Sequence, residues 1–292
     1  MHQNLLHNNQ VRSTEDVLLS PGQVGYLNGW GIFSTFRVAQ GVLFAFDRHY
    51  ARLRRDAALL RIPFSWSAEN LRDALNRLIE ANSAWDAVLR VAIIRNRGGI
   101  FEGPLASREV DLVAFTANLR QWSTDVNLTY QPNARFGSSQ FAGTKSTSWA
   151  QNLTVLEKVQ EAGFDEAVLL NELGQVSECT SANIFAVQGK DVYTPPLATS
   201  GCLPGITRAV LLEDIRIKGV TIEERELTPS QLEESDCVFI TSTTRDLLPV
   251  NAIDGATLRR ETEVFSALKS AFASNFQNYI EHAFPNKVLV NS

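Results

Sequence analysis

Residues 149–170 read WAQNLTVLEKVQEAGFDEAVLL. The stretch from Trp149 to Ala162 predicts a helix, and Glu166 to Leu170 predicts a strand, so helix and strand follow one another directly. The same alternation continues downstream. A turn is expected at Asn171 to Gly174, then a strand from Ser181 to Val187. Pro204-Gly205 opens a helix over Ile206 to Ile217, which Gly219 stops. A last strand, Cys237 to Ser242, precedes a C-terminal helix with Phe265, Leu268, Phe272, Phe276 and Ile280 on one stripe.

Upstream, the polar run from Asn118 to Thr124 marks a domain junction. Before it come a Gly-rich turn (Gly25 to Gly31) and strands over Ile32 to Val38 and Val42 to Phe46. A helix from about Asp47 carries Tyr50, Leu53, Ala57 and Leu60, and Pro63 ends it. A second helix, about Ser67 to Ala81, places Leu71, Leu75, Leu78 and Ile79 on one face. Two further strands are expected at Ala87 to Ile94 and Val110 to Thr116. The fold class read from this is α/β (α+β) in two domains: a small N-terminal α/β domain over 1–120 and a larger one over 121–292.

Composition narrows the class of function. The chain has 292 residues, 44% hydrophobic and 20% charged, with a formal net charge of -5. That is an ordinary globular composition without the basic stripe of a nucleic-acid binder. Its three cysteines, Cys179, Cys202 and Cys237, form no CxxC pair, so neither a disulfide scaffold nor a cysteine zinc site is expected. No metal is expected. Met1 to Asp16 lacks an apolar segment behind a basic end, and apolar runs are strand-sized, so no leader and no membrane span are expected. The reading is a cytoplasmic protein, in which the Asn127 and Asn152 sequons are chance.

Familiar catalytic signatures are missing. Of four histidines, His2, His7 and His282 sit near the ends, leaving His49 in the body. No G-x-S-x-G elbow, G-x-G-x-x-G or P-loop occurs, and Gly29-Trp30-Gly31 reads as a turn. The residues left over form a different inventory. Lys145 sits among small hydroxylic neighbours in Gly143-Thr144-Lys145-Ser146-Thr147-Ser148. Glu178 precedes the small polar turn Cys179-Thr180-Ser181-Ala182-Asn183. Arg52, the free N–H groups of Ile206 and Thr207 at a helix start, and Thr243 can together hold a phosphate. One amine nucleophile, one carboxylate and a phosphate cradle are what pyridoxal 5'-phosphate requires when held as a lysine Schiff base.

The order H-x-x-R-L (His49 to Leu53), G-T-K (143–145), E-C-T-S-A-N-I-F (178–185), L-P-G-I-T-R (203–208) and S-T-T-x-x-x-x-P-V (242–250) resembles the class IV (fold type IV) pyridoxal-phosphate enzymes. These include branched-chain aminotransferases, D-amino-acid aminotransferases and 4-amino-4-deoxychorismate lyases. The likeness runs from Gly25 to Val250. It implies a larger C-terminal domain with a barrel-like sheet, the cofactor between the domains, and a homodimer whose partner loop closes each site. It implies that Lys145 forms the internal aldimine and Glu178 pairs with the pyridine nitrogen. Arg52, Thr243, Ser242 and the N–H groups of Ile206 and Thr207 would hold the phosphate, and Leu203 would pack under the ring.

Two positions depart from the branched-chain pattern. Trp149 stands roughly where a tyrosine is usual, and Phe33-Ser34-Thr35-Phe36-Arg37 replaces F-E-G-I-R, with Thr35 resembling the lyases. For the substrate carboxylate, Arg90 on a strand and Arg95 and Arg97 in the following loop are candidates, because a guanidinium binds carboxylate bidentately. The activity expected is amino-group transfer between an L-branched-chain or similar hydrophobic amino acid and a 2-oxo acid. The alternative is aminodeoxychorismate lyase, giving 4-aminobenzoate and pyruvate, with D-amino-acid transfer third.

Overall fold

The computed structural model describes residues 1–16, 22–100, 108–259 and 261–283. The chain packs as two compact units: the first takes residues 1–120, Lys145–Ser148 and the chain from Phe276, the second takes Gln121–Thr144 and Trp149–Asn275.

In the first unit a hairpin of β1 (Asn4–His7) and β2 (Gln10–Ser13) leads to the short helix α1 (Val24–Asn28). Then come β3 (Gly31–Ala39), β4 (Val42–Leu43), the helices α2 (Phe46–Leu59) and α3 (Ala68–Ala81), and strands β5 (Ala87–Arg95) and β6 (Val110–Ala117). The strands form an antiparallel sheet in the order β2-β1-β6-β5-β3-β4. Alternation along β3 and β5 sends Ile32, Phe36, Val38, Leu89, Val91 and Ile93 to one face, where Leu53, Leu71, Leu75 and Leu78 from the two helices complete the core. Ser67 caps α3, its Oγ accepting the Asn70 N–H at 3.1 Å.

The polar N-terminal stretch, which lacks an apolar leader segment, is the β1–β2 hairpin, with Leu5, Leu6 and His7 buried and β1 added to β6. The strand expected over Val42 to Phe46 stops at Leu43. Ala45 turns into the left-handed region (φ 51°) and Phe46 already begins α2.

The second unit contains β7 (Val126–Gln131), α4 (Ala150–Glu161), β8 (Glu166–Leu170), β9 (Val176–Cys179), β10 (Asn183–Gln188) and β11 (Asp191–Thr194). It continues through α5 (Leu197–Ser200), α6 (Ile206–Glu213), β12 (Thr221–Glu224), α7 (Pro229–Glu233), β13 (Cys237–Ser242), β14 (Asp246–Ile253) and β15 (Ala256–Thr257). The sheet order is β12-β11-β10-β13-β14-β7-β8-β9, with β15 on β14, and the sheet curls into a half-barrel. α6 ends at Glu213, shorter than its apolar pattern suggested, because the Ile215 N–H closes back on the Val210 carbonyl. β9 and β11 escape a periodicity reading because each is only four residues long.

The last helix, α8 (Glu263–His282), begins in the second unit and ends in the first. Its end seats on the start of α2: Phe276 and Tyr279 meet the Phe44 ring at 4.6 and 5.1 Å, and the Tyr279 hydroxyl accepts the Phe46 N–H at 3.2 Å. Among the described residues no helix is long and apolar enough to cross a membrane.

A buried carboxylate ties the edges of the first unit together. Asp111 on β6, fully buried, accepts from His7 at 2.9 Å, Asn8 at 2.9 Å, Arg108 at 2.8 Å and Asn96 at 2.8 Å, and also from Gln23. Burial alone would raise its pKa, but the hydrogen bonds from Arg108, Asn8, Asn96 and His7 outweigh that and hold it at about 2. A depressed carboxyl stabilises the fold above its unfolded pKa and loses that contribution as pH falls through the folded one. Denaturant unfolding of Asp111→Asn at neutral pH should therefore show a loss of about 2 kcal/mol. The wild type should lose the same amount as pH falls from about 4 to 2, and the variant should not.

Candidate functional site

Lys145, expected in the larger C-terminal domain over 121–292, lies instead with the first unit because its segment is hydrogen-bonded to β3. The Phe33 N–H donates to the Lys145 carbonyl at 3.0 Å, the Thr147 N–H to the Gly31 carbonyl at 2.9 Å, and Ile32 and Ser146 form an antiparallel bridge. The Thr147 and Ser148 hydroxyls both donate to the Gly29 carbonyl, at 2.9 and 3.0 Å. Gly29 has φ +62°, and a Cβ there would fall 2.4 Å from Ser148 Oγ. The Gly-rich turn is thus the seat of the lysine segment. On the α2 side, the Lys145 N–H donates to Asp56 Oδ2 at 3.2 Å.

The face of β3 opposite the core carries Phe33, Thr35 and Arg37. Lys145 Nζ stands 4.6 Å from the centre of the Phe33 ring and the Arg90 guanidinium 4.0 Å from it. Thr35 is directly opposite Arg90 in the β3–β5 register. Burial lowers the Arg90 pKa. On the core side of β3, Arg52 reaches from α2 and its Nη2 donates to Ser34 Oγ at 2.9 Å. Burial presses the Arg52 pKa down to about 10 against the pull of Asp56, so it stays cationic at neutral pH.

Arg95 is engaged elsewhere. Its Nη1 and Nε donate to the carbonyls of Arg61 at 2.7 Å and Arg97 at 2.8 Å, and its guanidinium stacks 4.0 Å above Trp30. Arg97 is exposed in the loop beyond β5. The side chain that shares a ring with Lys145 is Arg90.

In the second unit Glu178 lies on β9, nine-tenths buried. One of its oxygens accepts from Arg135 Nε at 3.0 Å and the other from the Leu203 N–H at 3.1 Å. The Leu203 carbonyl in turn accepts from Asn183 Nδ2 at 2.8 Å. A Cβ at Gly205 would fall 1.9 Å from Asn183 Oδ1, so a larger residue here would have to displace the Asn183 side chain that holds the Leu203 carbonyl. The turn delivers the chain into α6, whose N-terminus has no side-chain cap and no acidic residue in its first turn. Its first N–H groups, those of Ile206 and Thr207, are free of intrahelical partners. Asn183 also pairs with Thr241 across β10 and β13, which sets Thr241-Ser242-Thr243 beside Asn183.

The buried hydroxyls of Thr241 and Ser242 have no hydrogen-bond partner among the described residues. The turn that follows is pinned by Arg245, which donates to Ser181 Oγ at 3.0 Å, approaches buried Glu166 at 3.3 Å and stacks 4.0 Å over Trp122. An uncapped helix start next to unsatisfied hydroxyls, with no carboxylate in that first turn, is a donor set that fits a phosphate.

The family model for class IV amino-transferases matches residues 31–253. The chain belongs to that family. It is 30% identical to the D-alanine aminotransferase of Bacillus licheniformis over 258 residues, covering 87% of this chain and 89% of that one. It is 26% identical to the aminodeoxychorismate lyase of Bacillus subtilis over 281 residues, covering 94% of each. Among solved structures, the Escherichia coli branched-chain amino acid aminotransferase superposes with a TM-score of 0.87 at 23% identity, covering 94% of this chain and 95% of that one. This class IV protein is therefore an enzyme of the pyridoxal-phosphate aminotransferase and lyase group, and pyridoxal 5'-phosphate is its cofactor.

The sequence reading missed Arg135, Asn183 as a turn-holder, and the Ser34–His49 pair. Asn183 and His49 stood inside recognised motifs and could have been questioned. Arg135, in Asn133-Ala134-Arg135-Phe136, carries no local signal, because its partner lies 43 residues away. Replacing Arg135 with Gln leaves Glu178 buried without its cation and should lower stability by about 1–3 kcal/mol in denaturant unfolding.

Proposed function

We propose that this class IV enzyme transfers the amino group of an α-amino acid with an apolar side chain, an L-branched-chain or similar residue, to a 2-oxo acid. The observation that carries this is the pairing of the Lys145 amine and the Arg90 guanidinium on the Phe33 ring. An amine beside a carboxylate-reading guanidinium and an aromatic surface suits a small amino acid with a hydrophobic side chain. On this reading the active enzyme is a cytoplasmic homodimer.

Bound pyridoxal 5'-phosphate supplies an electrophilic carbon for the substrate amine and a cationic ring that accepts the electron pair left at Cα. The chain's residues do the rest. Lys145 Nζ would anchor the cofactor and, once displaced, would take the proton from the substrate's Cα and deliver it to the cofactor's C4' carbon. Glu178 holds a proton at the pyridine nitrogen, and Arg135 and the Leu203 N–H fix the orientation of that carboxylate. Arg52, Ser242, Thr243 and the Ile206 and Thr207 N–H groups would hold the phosphate, and Leu203 would pack under the ring. Arg90 takes the substrate carboxylate.

A second reading, aminodeoxychorismate lyase, is favoured by Thr35, which sits directly across from Arg90 and next to Phe33. A hydroxyl there can relay the Cα proton toward pyruvate release. A relative named for D-alanine supports testing both hands of the amino acid.

The purified protein should be yellow, and borohydride trapping should place the cofactor's mass on Lys145. Lys145→Ala should remain colourless. Glu178→Gln should keep the cofactor but lose about 10²–10⁴-fold in turnover. Arg90→Leu should raise KM for the amino acid about 10- to 100-fold, the worth of one charged hydrogen-bonded contact. L-leucine or L-valine should convert the bound cofactor to its pyridoxamine form, and 2-oxoglutarate should return it. If only D-alanine does so, the substrate hand proposed is wrong. If no amino acid does so and aminodeoxychorismate yields 4-aminobenzoate, the lyase reading replaces the first.

A further inference from the structure

His49 is fully buried on α2, and nothing in the chemistry above uses it. Its Nδ1 lies 2.8 Å from Ser34 Oγ, and Ser34 Oγ accepts Arg52 Nη2 at 2.9 Å. Ser34 and His49 have no exposed surface and Arg52 has 7%. We propose that His49 and Ser34 are positioning residues that hold the Arg52 guanidinium in place for the cofactor's phosphate. The inference rests on the reading of Arg52 as a phosphate ligand.

Donor and acceptor accounting fixes the first bond of the chain. A guanidinium only donates, so Ser34 Oγ accepts from Arg52. The proposal assigns the serine's own proton to His49 Nδ1 as acceptor, in the neutral ring that carries its proton on Nε2. The surroundings enforce neutrality: burial, then the charges of Arg52 and Lys145, push the His49 pKa well below its ordinary value. The ring packs 4.2 Å from Phe36, and Nε2 meets no hydrogen-bond partner among the described residues.

A leucine or phenylalanine would fill this core site without burying a polar nitrogen. What only the imidazole adds is an acceptor for the Ser34 hydroxyl, which stops that hydroxyl rotating and aims a lone pair at Arg52. The guanidinium is braced here by a neutral hydroxyl.

The test is the affinity of the full-length chain, stripped of cofactor, for pyridoxal 5'-phosphate and for pyridoxal, which lacks the phosphate. Arg52→Ala should lose affinity for the phosphate ester alone, which tests the premise. Ser34→Ala and His49→Leu should weaken the phosphate ester about tenfold or more while leaving pyridoxal within about twofold. His49→Asn, whose Oδ1 can take the place of Nδ1 as acceptor, should recover most of the loss. Thermal unfolding reports whether each variant is folded, and His49→Asn and Ser34→Ala carry the test if His49→Leu does not fold.

Equal weakening of both ligands, or none in the folded Ser34 and His49 variants, overturns the positioning role while Arg52→Ala still discriminates. If Arg52→Ala binds both ligands like the wild type, the phosphate assignment of Arg52 falls and the inference with it.

Discussion

The attachment of residues 145–148 to the start of β3 is the constraint on which the candidate site of the first unit depends. It is a small contact: two backbone hydrogen bonds between the strands, two hydroxyls on the Gly29 carbonyl, and one N–H on Asp56. Yet it draws the lysine out of the stretch of sequence that builds the second unit and fixes it to β3 of the first. Phe33, bonded to the lysine's carbonyl, presents its ring to the lysine's amine, so strand pairing and cation placement are one geometric fact. The alternation of β3 then divides the labour. Phe33 and Thr35 face Lys145 and Arg90, and Ser34 faces His49 and Arg52.

Both units pair their buried carboxylates, Asp111 with Arg108 and His7 in the first. Near Lys145 the first unit gathers cations, Arg90 and Arg52, and the one nearby imidazole stays neutral. Asp56 is the carboxylate set beside them, bonded to the Lys145 N–H and acting on Arg52. The second unit pairs its buried carboxylates: Glu178 with Arg135, and Glu166 with Arg245. Glu166 stands on a strand buried throughout, where an unpaired charge would be costly. Its pairing fastens the turn after Ser242 to the turn after Glu178.

Much of this was legible in the sequence because the chemistry is concentrated in short runs. G-T-K, E-C-T-S-A-N, L-P-G-I-T and S-T-T each combine a reactive or anion-binding group with the small residues that let the backbone approach. What could not be read were partners distant in sequence. Arg135 looks like any arginine until β9 brings Glu178 beside it. Arg95 looked as good a carboxylate binder as Arg90, and only the loop geometry engages it with Arg61, Arg97 and Trp30. The N-terminal hairpin was silent because its stability comes from pairing with β6 and from Asp111, neither of which is local.

The sequence by itself determined the family, the residues able to do chemistry and the alternation of helices and strands. Motif composition and hydrophobic period are local properties that a linear reading captures. Only the tertiary structure decided which unit Lys145 joins, which arginine shares a ring with it, and that His49 is neutral and bonded to Ser34. Those outcomes depend on strand register, where a shift of one residue would exchange Phe33 and Thr35 for Ser34 on the face of β3 that meets Lys145. They depend equally on burial, which sets the protonation of a histidine and the need of each carboxylate for a partner.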